Sequence, residues 1–333
     1  MTAGMKTSAR LLTTTAFLSF AGCGGDLDAG RNTPHGLLPV DERNPVIILN
    51  DGARDNWGGE YAVLLANAGG PPIAGIVATA SKYWPNASTN AEGWSGLAQA
   101  AQSSGLKNIP KITMSTGPQL VRPADGQIEH TIRNGSAGAY LIVNRSRELS
   151  LPWRPLAIVA GTPLTDVADA YLIDNTVVDR VVVVAALGSY SATNGIMNGP
   201  NGELDSWADW IVAQKFRYVQ VSAYYDQSAD LTTAQFSNLP QNALGAWMME
   251  KQPDVFKIAS ASDQVAVLAV GLRAFASEVQ RMSADTTIAW DSTQGPPLRP
   301  NPSGNCWLVD RIATPLAASR LWQLLLEPTT FGN

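Results

Sequence analysis

From residue 45 onward the chain alternates short apolar runs with longer stretches of helical periodicity. The apolar runs fall at 45–50, 74–79, 111–114, 154–160, 180–187, 217–223 and 285–290, and they are rich in Val, Ile and Ala. Most lack the in–out alternation of a half-solvated strand, which predicts strands covered on both faces of a parallel sheet. Helical patterns occupy about 59–68, 90–104, 135–149, 164–173, 203–215 and 241–252, with a long one at 263–281 and a last one at about 315–326. Strand alternating with helix predicts an α/β fold, a doubly wound, mostly parallel central sheet with helices on both faces. The segment Gly295-Pro-Pro-Leu-Arg-Pro-Asn-Pro cannot be helical and reads as a surface loop. No repeat stands out and no linker divides the chain after residue 44, so residues 44–333 are expected to form a single domain.

The residues before that domain read differently. Lys6 and Arg10 flank an apolar stretch from Leu11 to Phe20, followed by the small residues Ala21 and Gly22. That pattern predicts a signal peptide over 1–22. The apolar stretch is too short to span a bilayer. Cys23 after Ala-Gly resembles a bacterial lipobox, in which the cysteine is lipidated, although Phe20 departs from the usual Leu and leaves simple secretion open. Residues 23–43, rich in Gly, Asp and Asn, would then be a flexible tether. The expected location is outside the bacterial inner membrane, on a periplasmic or outer-membrane face, with membrane contact through the lipid anchor only. Cys306 is the one other cysteine, so no disulfide within the domain is expected.

Composition narrows the partners. The chain has 333 residues, 45% hydrophobic and 15% charged, with a net charge of −5 and no basic block. Such a balance supports one sizeable core and offers no electrostatic footprint for nucleic acid. The expected partner is a small molecule, and a homo-oligomer is allowed.

Chemistry concentrates after the first apolar run, in Val46-Ile-Ile-Leu-Asn-Asp51-Gly-Ala-Arg-Asp55-Asn56. Ligands of open α/β sheets bind at the carboxyl ends of strands. Asp51, Asp55 and Asn56 are therefore placed where one loop aims several oxygens at one point, a donor set that suits a hard cation such as calcium.

This spacing resembles the Asp-x-Asp-x-x-x-Asp-Asp signature of the inosine-uridine preferring nucleoside hydrolase family, with Leu49 on its first acidic position and Asp51, Asp55 and Asn56 on the other three. Further matches follow in family order: Gly161-Thr-Pro-Leu-Thr-Asp-Val-Ala resembles Gly-Pro-Leu-Thr-Asn-Leu-Ala, Glu203-Leu-Asp205-Ser-Trp-Ala-Asp209 resembles Glu-Phe-Asn-x-x-x-Asp, and Ala261-Ser262-Asp263-Gln-Val-Ala-Val resembles His-Asp-x-x-Ala-Val. The resemblance implies a nucleoside hydrolase fold and calcium-dependent cleavage of the N-glycosidic bond of a ribonucleoside or related N-riboside. Asp51, Asn56, Asp263 and the backbone carbonyl near Gly161 would hold the calcium. Asp55 would take the proton of the attacking water. Glu203 and Asp205 would hold the ribose hydroxyls, with Asn198 and Asn201 as further candidates. His130 resembles a sugar-contacting segment and would touch the sugar or act as an acid.

Plainer roles stand beside these. Asp263 would also serve as a helix N-cap, Glu203 and Asp205 would also favour the start of a helix, and His130 would equally be an exposed loop histidine. Trp57, Trp84 and Trp207 fall near the expected pocket, where core packing competes with stacking on a ligand. Three departures weaken the enzyme: Leu49 and Asn56 remove negative charge from the metal site, and Ser262 replaces a His that assists the leaving base. A binding lipoprotein for a nucleoside or sugar, impaired in catalysis, is the competing expectation, and cleavage of another glycoside or ester is a third.

Overall fold

The computed structural model describes residues 38–51, 71–82, 84–186, 190–191, 195–196, 201, 204–221, 238–251 and 276–312, with residues 319 and 326. In chain order the main elements are β1 (Val46–Asn50), β2 (Ile73–Ala78), α1 (Ala87–Ser103), β3 (Ile112–Met114), α2 (Ala137–Leu149), β4 (Leu156–Gly161) and α3 (Thr165–Ile173). They continue with β5 (Val181–Ala186), the short strands β6 (Tyr190–Ser191) and β7 (Gly195–Ile196), α4 (Ser206–Lys215), β8 (Arg217–Val221) and α5 (Ala243–Lys251). The last are β9 (Ala276–Ala284), β10 (Leu298–Pro300) and β11 (Cys306–Ile312).

Among the described residues, nine strands make one sheet in the order β10-β9-β11-β8-β5-β4-β1-β2-β3. From β8 through β3, and between β11 and β8, all pairs are parallel. The chain moves outward through β2 and β3, then returns to the other side of β1 to lay down β4, β5 and β8. Strand order thus reverses between β1 and β4. The expected doubly wound, mostly parallel α/β sheet is the architecture found.

Side-chain parity along the strands divides the core in two. Ile48, Ile76, Val182 and Val184 pack on one face with Trp94 and Leu97 of α1 and Trp247 of α5. Ile47, Leu49, Ile158 and Val183 pack on the other with Ile142 of α2, Val167 of α3 and Ile211 of α4. Because both faces are covered, β4 and β5 are buried along their whole length, which is why they read as unbroken apolar runs. Helices α1, α2 and α4 start on local caps: Asn86 accepts from the Ser88 and Thr89 amides, Ser136 from Ala139 and Asp205 from Ala208.

The far edge of the sheet differs from expectation. The helix predicted over 263–281 is contradicted at its end, where Ala276–Ala284 forms strand β9, antiparallel to β11. Ala, Glu, Gln, Arg and Met in this stretch favour a helix, but propensity is a weak prior. Pairing with β11 and burial of Met282 override it. The strand predicted at 285–290 is instead a turn. Asp285 accepts from the backbone and hydroxyl of Thr287, a local bond that competes with a sheet ladder. The proline-rich segment expected as a surface loop has its 295–298 portion buried, and Leu298–Pro300 pairs with β9. Pro300 is tolerated because β10 is an edge strand. The helix expected at 59–68 lies outside the described residues, as does nearly all of that at 315–326.

One half-buried carboxylate ties α2, α3 and the lead-in to β5 together. Asp174 ends α3 and caps the following turn, accepting from the Thr176 amide and hydroxyl and from Arg180 and Arg147. Burial opposes its charge, but the bonds from Thr176, Arg180 and Arg147 outweigh that and bring its pKa down to about 2. A lowered pKa means stability that is fully present above the ordinary carboxylate range and is lost as pH falls toward about 2. Asp174→Asn is therefore expected to lower unfolding free energy at neutral pH by about 2 kcal/mol. Its acid-denaturation limb, followed by circular dichroism, should be shallower than that of the wild type.

Candidate active site

The reversal of strand order opens a crevice at the carboxyl ends of β1 and β4. The β1–β4 register pairs Asn50 with Gly161. Asp51, the first residue past β1, therefore follows the strand end that pairs with Gly161. Asp51 is a buried residue, 7% exposed. Asn50 directs its amide nitrogen at the Gly161 carbonyl, 3.5 Å away. Two of the expected metal donors, the Asp51 carboxylate and the Gly161 carbonyl, therefore lie at the ends of directly paired strands. Leu49, on the first acidic position of the signature, is fully buried in the core layer beneath α2–α4 and adds no charge to the crevice.

Two hydroxyls close over this point. Thr79 follows β2 and Thr162 follows β4, and their Oγ1 atoms lie 2.9 Å apart, both buried. Strands two places apart in a sheet are separated by roughly 9–10 Å. The threonines meet only because β1, between them, has ended. The Thr79 backbone is held by its amide on the Asn50 carbonyl and by Asn90 of α1, whose side chain donates to the Thr79 carbonyl.

Beside the crevice lies a cavity of about 630 Å³, formed where the chain leaves β2, β3 and β4. Ser81 and Lys82 come from the β2 exit, Thr116 and Gln119 from the β3 exit, Thr165 from the start of α3, and Leu204 from the lead-in to α4. Its wall is stitched together by polar side chains. Gln119 donates to the Leu204 carbonyl, and Asp205 accepts from the Leu120 amide, the Thr165 hydroxyl and the Ala208 amide. The volume suits a nucleoside-sized ligand.

Each expected site residue can be placed against this geometry. Asp205 is buried, and the three bonds just described use both its oxygens to join α4, α3 and the β3 exit. Burial pushes its pKa up, and those same bonds pull against it. Its neighbour Leu204 lines the cavity, while Glu203 lies outside the described residues. Asn201 donates to the carbonyl of Ala186 at the end of β5. Asn198, Asp55, Asn56, Asp263 and Cys23 lie outside the described residues. His130 sits on a single helical turn, Ile128–His130, its Nδ1 2.6 Å from the Asp125 carboxylate and its side chain 65% exposed. It does not line the cavity. Trp207 is a core residue, donating its indole N–H to Thr131 and stacked by Arg122. Among the described residues no three acids, histidines or cysteines cluster as a metal site.

Sequence reasoning missed the Thr79–Thr162 bridge, the cavity-lining Lys82 and Gln119, and a buried group of Ser115, Ser136, Asp166 and Asp169. Thr162 and Asp166 lie within the Gly161–Ala168 segment singled out by resemblance, but nothing in the sequence pairs them with residues 80 or 30 positions upstream.

No protein-family model and no curated protein matches the sequence. Solved structures do. An inosine-guanosine nucleoside hydrolase superposes with a TM-score of 0.61 over 85% of this chain and 98% of that one, at 14% identity. The inosine-uridine preferring nucleoside hydrolase of Bacillus anthracis gives 0.59 over 86% and 99%, at 12% identity. The type III effector protein XopQ, solved with adenosine diphosphate ribose, gives 0.55 over 89% and 95%, at 13% identity. The chain therefore has the nucleoside hydrolase fold, spanning nearly the whole of these structures.

The threonine bridge makes a measurable prediction. Thr79→Val or Thr162→Val alone leaves a buried hydroxyl without its partner and should cost roughly 1–3 kcal/mol. The double variant replaces both hydroxyls by methyl groups and should recover most of that loss. Urea unfolding of the three variants, analysed as a double-mutant cycle, checks it.

Proposed function

We propose that the chain is a calcium-dependent hydrolase of the N-glycosidic bond of a ribonucleoside or related N-riboside. The observation that supports this reading is the pairing of Asn50 with Gly161, which puts the buried residue Asp51 directly after β1 at the reversal of strand order, in a fold shared with nucleoside hydrolases. The Asp51 carboxylate and the Gly161 carbonyl are hard oxygen donors of the kind calcium takes, so the residues present fit such an ion. Asp51 and Gly161 would hold it, with Asn56 and Asp263 completing the set. When bound, calcium supplies a fixed positive charge that makes water a better nucleophile at neutral pH.

The rest of the chemistry belongs to side chains. Asp55, four residues past Asp51, accepts the proton of the attacking water. The sugar develops positive charge as the bond breaks, and the carboxylates around the crevice favour that charge. Glu203, next to the cavity-lining Leu204, holds ribose hydroxyls, with Asn198 a further donor. Asp205 supports that grip from behind, through the bonds that fix the start of α4. The cavity over the β2 and β3 exits receives the remainder of the riboside.

A second reading draws support from Leu49. With a fully buried leucine where the signature has an acid, and Asn at 56, the crevice carries less negative charge, which weakens calcium and so turnover. A nucleoside- or sugar-binding protein on this scaffold is the result if turnover has been lost. Base release from a panel of nucleosides separates the two. The enzyme releases base with calcium, slows on chelation, and loses roughly 10²–10⁴-fold in kcat in Asp55→Ala. Equal and negligible release by wild type and Asp55→Ala, with riboside binding intact in both, establishes the binder.

We further propose export and lipidation at Cys23, after removal of residues 1–22. Expressed in a bacterium, the wild type should fractionate with membranes and Cys23→Ala should not. An identical distribution of the two overturns the anchor.

A further inference from the structure

Behind the cavity wall four buried polar side chains meet. Ser115 follows β3, Ser136 caps α2, and Asp166 and Asp169 stand one turn apart on α3. Ser136 Oγ is 2.5 Å from Asp166 Oδ1 and 2.9 Å from Asp169 Oδ2. Ser115 Oγ is 2.7 Å from the same Asp166 oxygen. Gly138 makes this approach possible, since a Cβ there would stand 2.6 Å from Asp166 Oδ2.

Counting hydrogens shows a deficit. A serine hydroxyl has one hydrogen to give. Ser136 Oγ accepts from the Ala139 amide and faces two carboxylates with that single hydrogen. If both acids were ionised, one of the two short contacts would have no proton in it and would set anionic oxygen against a lone pair. The two acids are not equivalent. Asp169 accepts backbone N–H groups from Asn134, Gly135 and Ser136, which is how a protein holds a carboxylate anion. The hydrogen bonds to Asp166, among the described residues, come from the hydroxyls of Ser115 and Ser136.

We infer that Asp166 is kept as a neutral carboxylic acid, and that its proton latches the cavity wall. The acid donates to Ser136 Oγ, Ser136 donates to the Asp169 carboxylate, and every short contact then contains one hydrogen. The chain Ser115–Asp166–Ser136–Asp169 joins the β3 exit, whose next residues Thr116–Gln119 line the cavity, to the starts of α2 and α3. Asp166 is a positioning residue in this scheme, not one that touches a ligand, and the inference does not depend on the reaction proposed above.

The electrostatics agree. Burial pushes Asp166 up from the ordinary carboxylate range; the hydroxyls of Ser136 and Ser115 oppose this, and the charge of Asp169 adds to it. The groups packed around it are Ser115 from the β3 exit, Ser136 and Gly138 from α2, Val77 of β2 beside Gly138, and Asp169 on its own helix. A raised pKa gives stability that is full below the ordinary value and is lost as pH rises through the raised one. Ionising Asp166 would set two anions on one hydroxyl and release the wall.

The test is infrared spectroscopy of the full chain with isotope-labelled aspartate, together with thermal unfolding from neutral to alkaline pH. The wild type should show a protonated-carboxyl band at neutral pH that Asp166→Asn lacks. Ser136→Ala, which keeps the acid and removes its acceptor, should shift that band, so assignment does not require Asp166→Asn to fold. The wild type should show a fall in melting temperature at alkaline pH that Asp166→Asn, whose amide donates where the acid did, lacks. A wild-type spectrum without such a band, a band indifferent to both substitutions, or an unchanged alkaline fall in Asp166→Asn overturns the inference.

Discussion

The parallel pairing of β1 with β4 is the contact on which the site depends. Hydrogen bonding fixes Asn50 opposite Gly161, and with a side-chain period of two a one-residue slip would no longer keep Ile47, Leu49, Ile158 and Ala160 in one core layer. The same slip would turn Leu49 out of that layer and move Asp51 relative to the Gly161 strand end. Core packing and the position of Asp51 are thus set by the same register.

Ending buried strands at a crevice leaves polar groups that water does not reach, and each must find a partner. This chain solves the problem with side chains from distant segments. Thr79 and Thr162 satisfy each other across the end of β1, Asn90 reaches from α1 to the Thr79 carbonyl, and Asp205 collects three donors at the start of α4. The same bonds that satisfy these groups hold the cavity wall, so desolvation and positioning are one requirement met once.

Fold and function separate cleanly in the comparisons. Likeness at 11–15% identity to nucleoside hydrolases and to effector proteins alike establishes the scaffold. Chemistry is decided by the residues grafted on it. Here Leu49 is buried in the core layer, whereas Asp51 follows the end of β1 opposite the Gly161 strand end.

The sequence by itself determined the central strands, because burial on both faces leaves an unbroken apolar run. The expectations at 45–50, 154–160 and 180–187 match β1, β4 and β5 to within one or two residues. It also marked the carboxyl end of β1, since the switch from apolar to acidic residues falls at Asp51, one residue past the strand. It misjudged β9, where good helix formers pair with β11 because an exposed strand edge offered more stabilisation than local propensity. Asp205 as helix cap was legible locally, whereas its bonds to Leu120 and Thr165 were not. The Thr79–Thr162 bridge and the proton-sharing set of Ser115, Asp166, Ser136 and Asp169 were decided by tertiary structure alone. Their members lie tens of residues apart, and only the order of strands in the sheet, a product of long-range packing, brings them within a hydrogen bond.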